Sequence, residues 1–433
     1  VAFNRRAFLT GAAAVTAGML LGGDQGVLRS CCMSDLQPVI DDLRRQSAAI
    51  RAAADAIDAD ADALANQPPP PNGGNGGGGG SVTLGQHFGA FSFPLEQVQG
   101  NNGLVDKEVA AAKDLGVGWL RGDFPLYTVA PQKGQYNMQA ASYWINKALE
   151  AGIKPLPICY MLPGWLRANN SGDKSPPNND DDFATVLVEC AKYFKSIGVT
   201  AMEVWNEQNL DGFWTGTPDT DDAFRGKYCR MMAKAYPRIK QAVPDMIVIT
   251  GGLSTADTVF QVTGQPTPPG CGALSTIKSY ADKGLFRNCD AVGWHPYLDT
   301  DTACKDVGNW PSWSPKAVKA VLDILDASGN PGLSLWTTET GCPRSAVGNN
   351  QGEQAKRAED AYKAYLPGGC LNQYHERLGP FFWFCTHDRT VGHAREDSFG
   401  FKSADDRNKY QIYDRMKSLW SQQWDGAVAS WAS

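Results

Sequence analysis

Eight short apolar runs constrain the fold of this chain more than any other feature. They lie at 83–91, 117–124, 154–161, 201–207, 246–254, 289–297, 333–341 and 379–388. Each is nearly continuous in apolar residues rather than alternating, as in strands buried on both faces of a parallel sheet. Helical stretches at 106–115, 140–151, 183–197, 222–242 and 315–328 fall between several of them. Alternating strand and helix predicts a (β/α)8 barrel, an α/β TIM barrel, over 81–433. An open doubly wound sheet would carry a Gly-rich phosphate loop after its first strand, and the sequence has none there.

Three segments precede the barrel. In 1–30, Arg5 and Arg6 stand before an apolar run containing Phe8, Leu9, Met19, Leu20 and Leu21. This resembles a twin-arginine export signal, so the protein is expected to be periplasmic, cell-surface or secreted. The run is short of the roughly 20 apolar residues that span a bilayer. It has no obvious A-x-A cleavage site, so retention as a membrane or surface tether is a second expectation. In 31–67, Leu36, Leu43, Ile50, Ile57 and Leu64 recur every seven residues, with Ile40, Ser47, Ala54 and Ala61 at the complementary position. That period predicts a helix that self-associates weakly through 35–66 as a coiled coil. Residues 68–80, "PPPPNGGNGGGGG", read as a linker.

Composition narrows the function classes. A net charge of −6 argues against a nucleic-acid partner. Among 11 cysteines and five histidines there is no CxxC, no zinc-type cluster and no HExxH, so neither a catalytic metal nor a cofactor is expected. In an exported domain, at least one disulfide is expected among Cys271, Cys289, Cys304, Cys342 and Cys370, whereas Cys159 and Cys385 read as buried thiols.

Barrels of this class place functional groups where strands end and loops begin. Here the strand ends are consistently polar. The first run ends near His87, the second carries Arg121 and Asp123, and the third ends at Tyr160. The fourth ends at Asn206-Glu207, the sixth at His295-Pro296-Tyr297 and the seventh at Glu339. The eighth holds Trp383 and His387. Glu207 and Glu339 would face each other across the barrel mouth. Paired carboxylates perform glycosidic cleavage: one protonates the leaving oxygen, the other attacks carbon or activates water. Asn206 is placed to bond a sugar hydroxyl. Arg121 and Tyr297 are placed to favour the ionised form of Glu339, leaving Glu207 to carry the proton. Glu203 lies deeper on the same strand face and reads as a structural carboxylate paired with Arg121 or another buried base. Trp165, Trp214, Trp310 and Trp313 are candidate stacking platforms for sugar rings.

Five motifs carry a family resemblance: "EVWNEQNLDGFW", "WTTETG", "VGWHPY", "YNMQAASYWINKALEAGIKPLPI" and "FGFKSADDRNKYQIYDRM". Through them, nearly all of 84–416 resembles clan A glycoside hydrolases, most closely family 39 and its relatives. The resemblance implies hydrolysis of O-glycosidic bonds in an oligo- or polysaccharide, with retention through a covalent glycosyl-enzyme and on β-glycosidic bonds. It implies Glu207 as acid/base and Glu339 as nucleophile. It does not supply the sugar. One departure is Gln208, where these families usually have Pro after the acid/base glutamate. A transglycosylase using the same site, and a non-catalytic glycan-binding barrel, are the alternatives; the presence of both glutamates argues against the second.

Overall fold

A computed structural model of the protein describes residues 83–93, 101–167, 172–215, 222–254, 273–298 and 315–422. The expected signal, heptad helix and linker lie outside these residues, as do Trp310, Trp313, Cys271 and Cys304. Among the described residues no helix is long and apolar enough to cross a membrane.

Eight parallel strands close into a barrel in sequence order. They are β1 (Phe88–Phe93), β2 (Trp119–Pro125), β3 (Lys154–Tyr160), β4 (Ala201–Asn206), β5 (Ile247–Ser254), β6 (Ala291–His295), β7 (Ser334–Thr340) and β8 (Leu378–Phe384). A helix follows each strand: α1 (Asn102–Leu115), α2 (Tyr143–Glu150), α3 (Asp180–Ser196), α4 (Lys227–Ala242), α5 (Ala273–Asp282), α6 (Pro315–Ala327), α7 (Gln351–Lys363) and α8 (Gln411–Trp420). The caps are local and legible. Asn179 accepts from the backbone N–H groups of Asp181 and Asp182, and three aspartates occupy the first turn of α3. α1 starts on Asn101 and stops at Gly116, whose φ of 80° suits a residue without Cβ.

Two differences from the sequence reading have physical causes. β1 begins at Phe88 rather than at 83, because Leu84–His87 forms a 3₁₀ turn. Helix α7 escapes the periodicity reading because it packs with small residues: Ala355, Ala358 and Ala361 form its buried face, alongside Gln354 and Tyr362.

The barrel interior is packed separately from the layer between strands and helices. Trp119, Leu156, Ala201, Ile249, Ala291, Trp336 and Phe382 contribute one residue each from β2 through β8. The indoles of Trp119 and Trp336 meet edge to face at 5.5 Å. β1 supplies Gly89, where a Cβ would stand 2.5 Å from the Phe382 ring, so this position takes no side chain. The result is an apolar floor that leaves polar groups room toward the strands' C-terminal ends.

Of the described cysteines, Cys370 is disulfide-bonded. Cys159, Cys190, Cys229, Cys289, Cys342 and Cys385 are buried thiols outside any disulfide. Cys289 and Cys342 were expected among the bridging candidates. Their thiols are instead packed in the core, at 2% and 0% exposure.

The floor predicts a large packing penalty. Trp336→Ala should cost about 3–5 kcal/mol, because the rigid barrel cannot close over the space left behind. Urea unfolding of the full chain measures it; a loss below about 1 kcal/mol would mean that the floor relaxes freely.

Candidate active site

The site is built around Arg121 of β2, which has no exposed surface. Its Nε and Nη2 donate to the two oxygens of Glu203 on β4, at 2.6 and 3.1 Å. Nη2 also donates to Asn206 Oδ1 at 2.8 Å, and Nη1 donates to Glu339 Oε1 on β7 at 2.5 Å. A bidentate guanidinium–carboxylate pair is the arrangement that best compensates two buried charges. Glu203 is thus the structural carboxylate anticipated from its depth. It also accepts from the Gly252 N–H at 2.9 Å.

The end of β4 breaks the simple alternation of a strand. Trp205 has φ 81° and Glu207 has φ 43°, both in the left-handed region that bulky residues avoid. The reversal at Trp205 sends its indole outward against Trp214 and Phe183 of α3. Asn206 is thereby turned in toward Arg121. Glu207 is held by its N–H on Gly252 O at 2.9 Å, while its own carbonyl accepts from Leu210 N–H at 2.8 Å. Backbone strain of this kind clusters at functional sites. Gln208, where a Pro was expected by resemblance, is buried and donates to Gly251 O at 3.1 Å and to the Tyr280 hydroxyl on α5 at 3.3 Å. The amide ties the loop to its neighbours where a proline would only have stiffened it.

Glu207 and Glu339 come together around His295 of β6. His295 Nδ1 lies 3.0 Å from Glu207 Oε1 and 3.7 Å from Glu339 Oε2. The ligand atoms of the three residues all lie within 4.8 Å of one another. That spacing alone would admit a cation. Hydrogen bonds engage the same groups. The Tyr297 hydroxyl donates to Glu339 Oε2 at 2.5 Å. His295 Nε2 lies 3.0 Å from Thr338 Oγ1, and Thr338 in turn donates to Glu203 Oε1 at 3.1 Å. Thr338 is adjacent to Glu339, yet both face the interior where the β7–β8 register shifts between Thr337 and Thr340.

Electrostatics separates Glu339 from an ordinary carboxylate. Burial pushes its carboxyl up, but His295, Arg121 and the hydrogen bonds from Tyr297 and Arg121 together hold it below the usual range. Burial first, and then the negative charge of Glu339, push the Tyr297 phenol up. It therefore stays protonated and able to donate.

Six residues proposed from sequence are brought together here: Glu207, Glu339, Asn206, Arg121, His295 and Tyr297. The others are placed differently. His87 precedes β1 and feels the charge of Lys154, the first residue of β3, so it sits at the floor end, away from the two glutamates. Its run was read as ending where the strand in fact begins. Trp383 is fully buried and faces the helix layer, its Nε1 donating to Phe399 O at 3.3 Å. The next residue, Phe384, takes the inward position, its ring 6.3 Å from that of Tyr297. A cis peptide joins Phe384 to Cys385. Trp214 offers no open face, being packed edge-on against Trp205, Phe224 and Tyr228. Tyr160 ends β3 but is buried with its ring against Trp205. Trp165 is half-buried, its Nε1 donating to Ala130 O at 2.8 Å. Sequence reasoning missed Thr338, whose signal is a buried hydroxyl beside a catalytic candidate in "TTETG". It also missed Arg395, whose guanidinium lies 5.0 Å from the Tyr297 ring and 2.5 Å from Glu396.

No protein-family model and no curated protein matches the chain. Solved structures share its fold. A family 39 glycoside hydrolase from Bacteroides cellulosilyticus WH2 matches with TM-score 0.57 at 20% identity, over 78% of this chain and 65% of that one. The chain thus spans less than two thirds of that protein's length. The beta-glycosidase BGL167 matches with TM-score 0.55 at 14% identity, over 80% of this chain and 99% of that one. GH5_18 from Streptomyces cattleya, solved in complex with GlcNAc, matches with TM-score 0.55 at 14% identity, over 81% and 83%. At 14–20% identity the likeness is one of fold: these glycosidases share the closed eight-stranded (β/α)8 barrel.

Removing Arg121 should expose the cost of its partners. Arg121→Met leaves two buried carboxylates uncompensated and should lose about 3–5 kcal/mol at pH 7. Glu339 has a depressed folded value, so its stabilisation is complete above the ordinary glutamate range, about 4.3, and is lost as pH falls through the lower folded value. The gap between wild type and variant should therefore narrow below about pH 4. Urea titrations at neutral and acidic pH check this; a gap independent of pH would refute the assignment.

Proposed function

We propose that the barrel is a retaining glycoside hydrolase acting on β-glycosidic bonds of an oligo- or polysaccharide. Glu207 acts as general acid/base and Glu339 as nucleophile. The observation that carries this reading is the approach of the two carboxyl groups: their nearest ligand atoms fall within the 4.8 Å cluster around His295. A separation near 5–5.5 Å suits direct attack by one carboxylate, whereas inversion needs about 6.5–9.5 Å to seat a water between them.

The environments divide the roles. Glu339, held ionised by Arg121 and Tyr297, attacks the anomeric carbon. As the bond to the leaving oxygen breaks, that oxygen takes the proton of Glu207. In the second step Glu207 takes a proton from water, the water oxygen bonds to the anomeric carbon, and Glu339 is released as carboxylate. Asn206 Oδ1 is occupied by Arg121, so its NH2 group is the part available to a substrate hydroxyl. No step needs a cofactor. The twin-arginine-like start extends the proposal to an exported enzyme. An Arg5→Lys, Arg6→Lys double variant should stop export, and fractionation of cells would reject this if both forms are exported alike.

The two glutamates should respond differently to substitution. Glu339→Ala should abolish turnover of every substrate. Glu207→Ala should lose about 10²–10⁴-fold on aryl glycosides with poor leaving groups and far less on activated ones, which need little protonation. Azide should partly restore Glu207→Ala and yield a β-glycosyl azide. Equal losses on both substrate classes would remove Glu207 from the acid role, and full activity in both variants would remove the hydrolase assignment.

A further inference from the structure

One hydrogen-bonded chain crosses the barrel beneath the two glutamates, and its polarity is set at one end. Glu203 is bound to Arg121 through both oxygens and accepts a third donor, the Gly252 N–H. A carboxylate so engaged offers only lone pairs. The Thr338 hydroxyl, 3.1 Å from Glu203 Oε1, must therefore spend its single hydrogen on Glu203. Turned the other way, two oxygen lone pairs would face each other in a buried site. With its hydrogen committed, Thr338 Oγ1 can only accept from His295 Nε2, which lies 3.0 Å away. His295 must then carry its hydrogen on Nε2.

We infer that Thr338 is a positioning residue that locks His295 as the Nε2–H tautomer and thereby keeps a proton on the Glu207–His295 pair. In the neutral tautomer Nδ1 bears a lone pair and points at Glu207 Oε1 from 3.0 Å. That contact is favourable only when one hydrogen lies between them, on Glu207 or on Nδ1. With neither protonated, a lone pair opposes a carboxylate. The acid is thus reloaded after each cycle by the geometry of a group that need never touch substrate. Gly252 keeps the chain compact, since a Cβ there would overlap both the His295 ring and Thr338 Oγ1. His295 and Thr338 are fully buried, so bulk water does not compete for these bonds. Glu207, one residue past β4, and Glu339 of β7 face His295 Nδ1 at 3.0 and 3.7 Å; Glu203 is reached through Thr338, and Arg121 and Tyr297 through Glu339.

This inference deepens the acid/base role proposed for Glu207, and its test separates the two. Spectra of full-length protein carrying ¹⁵N-histidine contain five imidazoles, and a His295→Ala variant identifies the signal of interest. Wild type and Thr338→Ser should show an Nε2–H at every pH, with Nδ1 as the nitrogen that responds to pH. Thr338→Val keeps the shape but removes the hydroxyl. It should release the tautomer and move the alkaline limb of kcat/KM down by about one unit, roughly tenfold at the limb. The loss should be larger for poor leaving groups, and Thr338→Ser should restore the wild-type profile. A wild-type His295 protonated on Nδ1 with a bare Nε2 overturns the inference, whatever the activity. So does a folded Thr338→Val protein with both tautomer and alkaline limb unmoved. Absence of glycosidase activity would count against the proposed function and leave the spectra to decide the tautomer.

Discussion

The guanidinium of Arg121 is the constraint on which the rest of the site depends. It is wholly buried and bridges β2 to β4 and β7 through Glu203, Asn206 and Glu339. A charge in that position is tolerated only with carboxylates at close range, and the carboxylates are tolerated only with it. Because the floor beneath is filled by Trp119, Trp336 and Phe382, the ion cluster has no lower place to sit. Packing thus decides the depth of the polar layer, and the polar layer holds the Glu339 carboxyl below its usual range.

From Arg121 the polarity passes outward by hydrogen bonds rather than by distance alone. Its pairing makes Glu203 an acceptor, Glu203 makes Thr338 a donor, and Thr338 leaves His295 to donate from Nε2. On the other branch, Arg121 and Tyr297 converge on the two oxygens of Glu339. The two catalytic candidates therefore meet the same buried cation by routes of different length. One is held ionised directly, and the other faces a ring nitrogen whose state is set three bonds away. The left-handed backbone at Trp205 and Glu207 is the local cost of presenting Asn206 and Glu207 from one short strand end.

Much of the fold was legible because strands buried on both faces must be continuously apolar, and polar residues that interrupt them stand out. Glu207, Glu339, Arg121, His295 and Tyr297 were readable for that reason. The errors cluster where facing depends on phase. Trp383 and Phe384 are neighbours in an unbroken aromatic run, so nothing local says which points inward. Trp214 looks like an exposed platform until the reversal at Trp205 brings an indole beneath it. His87 was misplaced because a 3₁₀ turn delays the start of β1, which moves the residue from one end of the barrel to the other.

The sequence by itself determined the barrel and the identity of the polar groups at its strand ends, since burial on both faces and the spacing of helices leave few other folds. Only the tertiary structure decided which of those groups meet. Register shifts along β7, a reversal in β4 and the absence of a side chain at Gly252 each act across strands far apart in the chain. The polarity of the chain from Glu203 to His295 exists only once four strands have closed around Arg121.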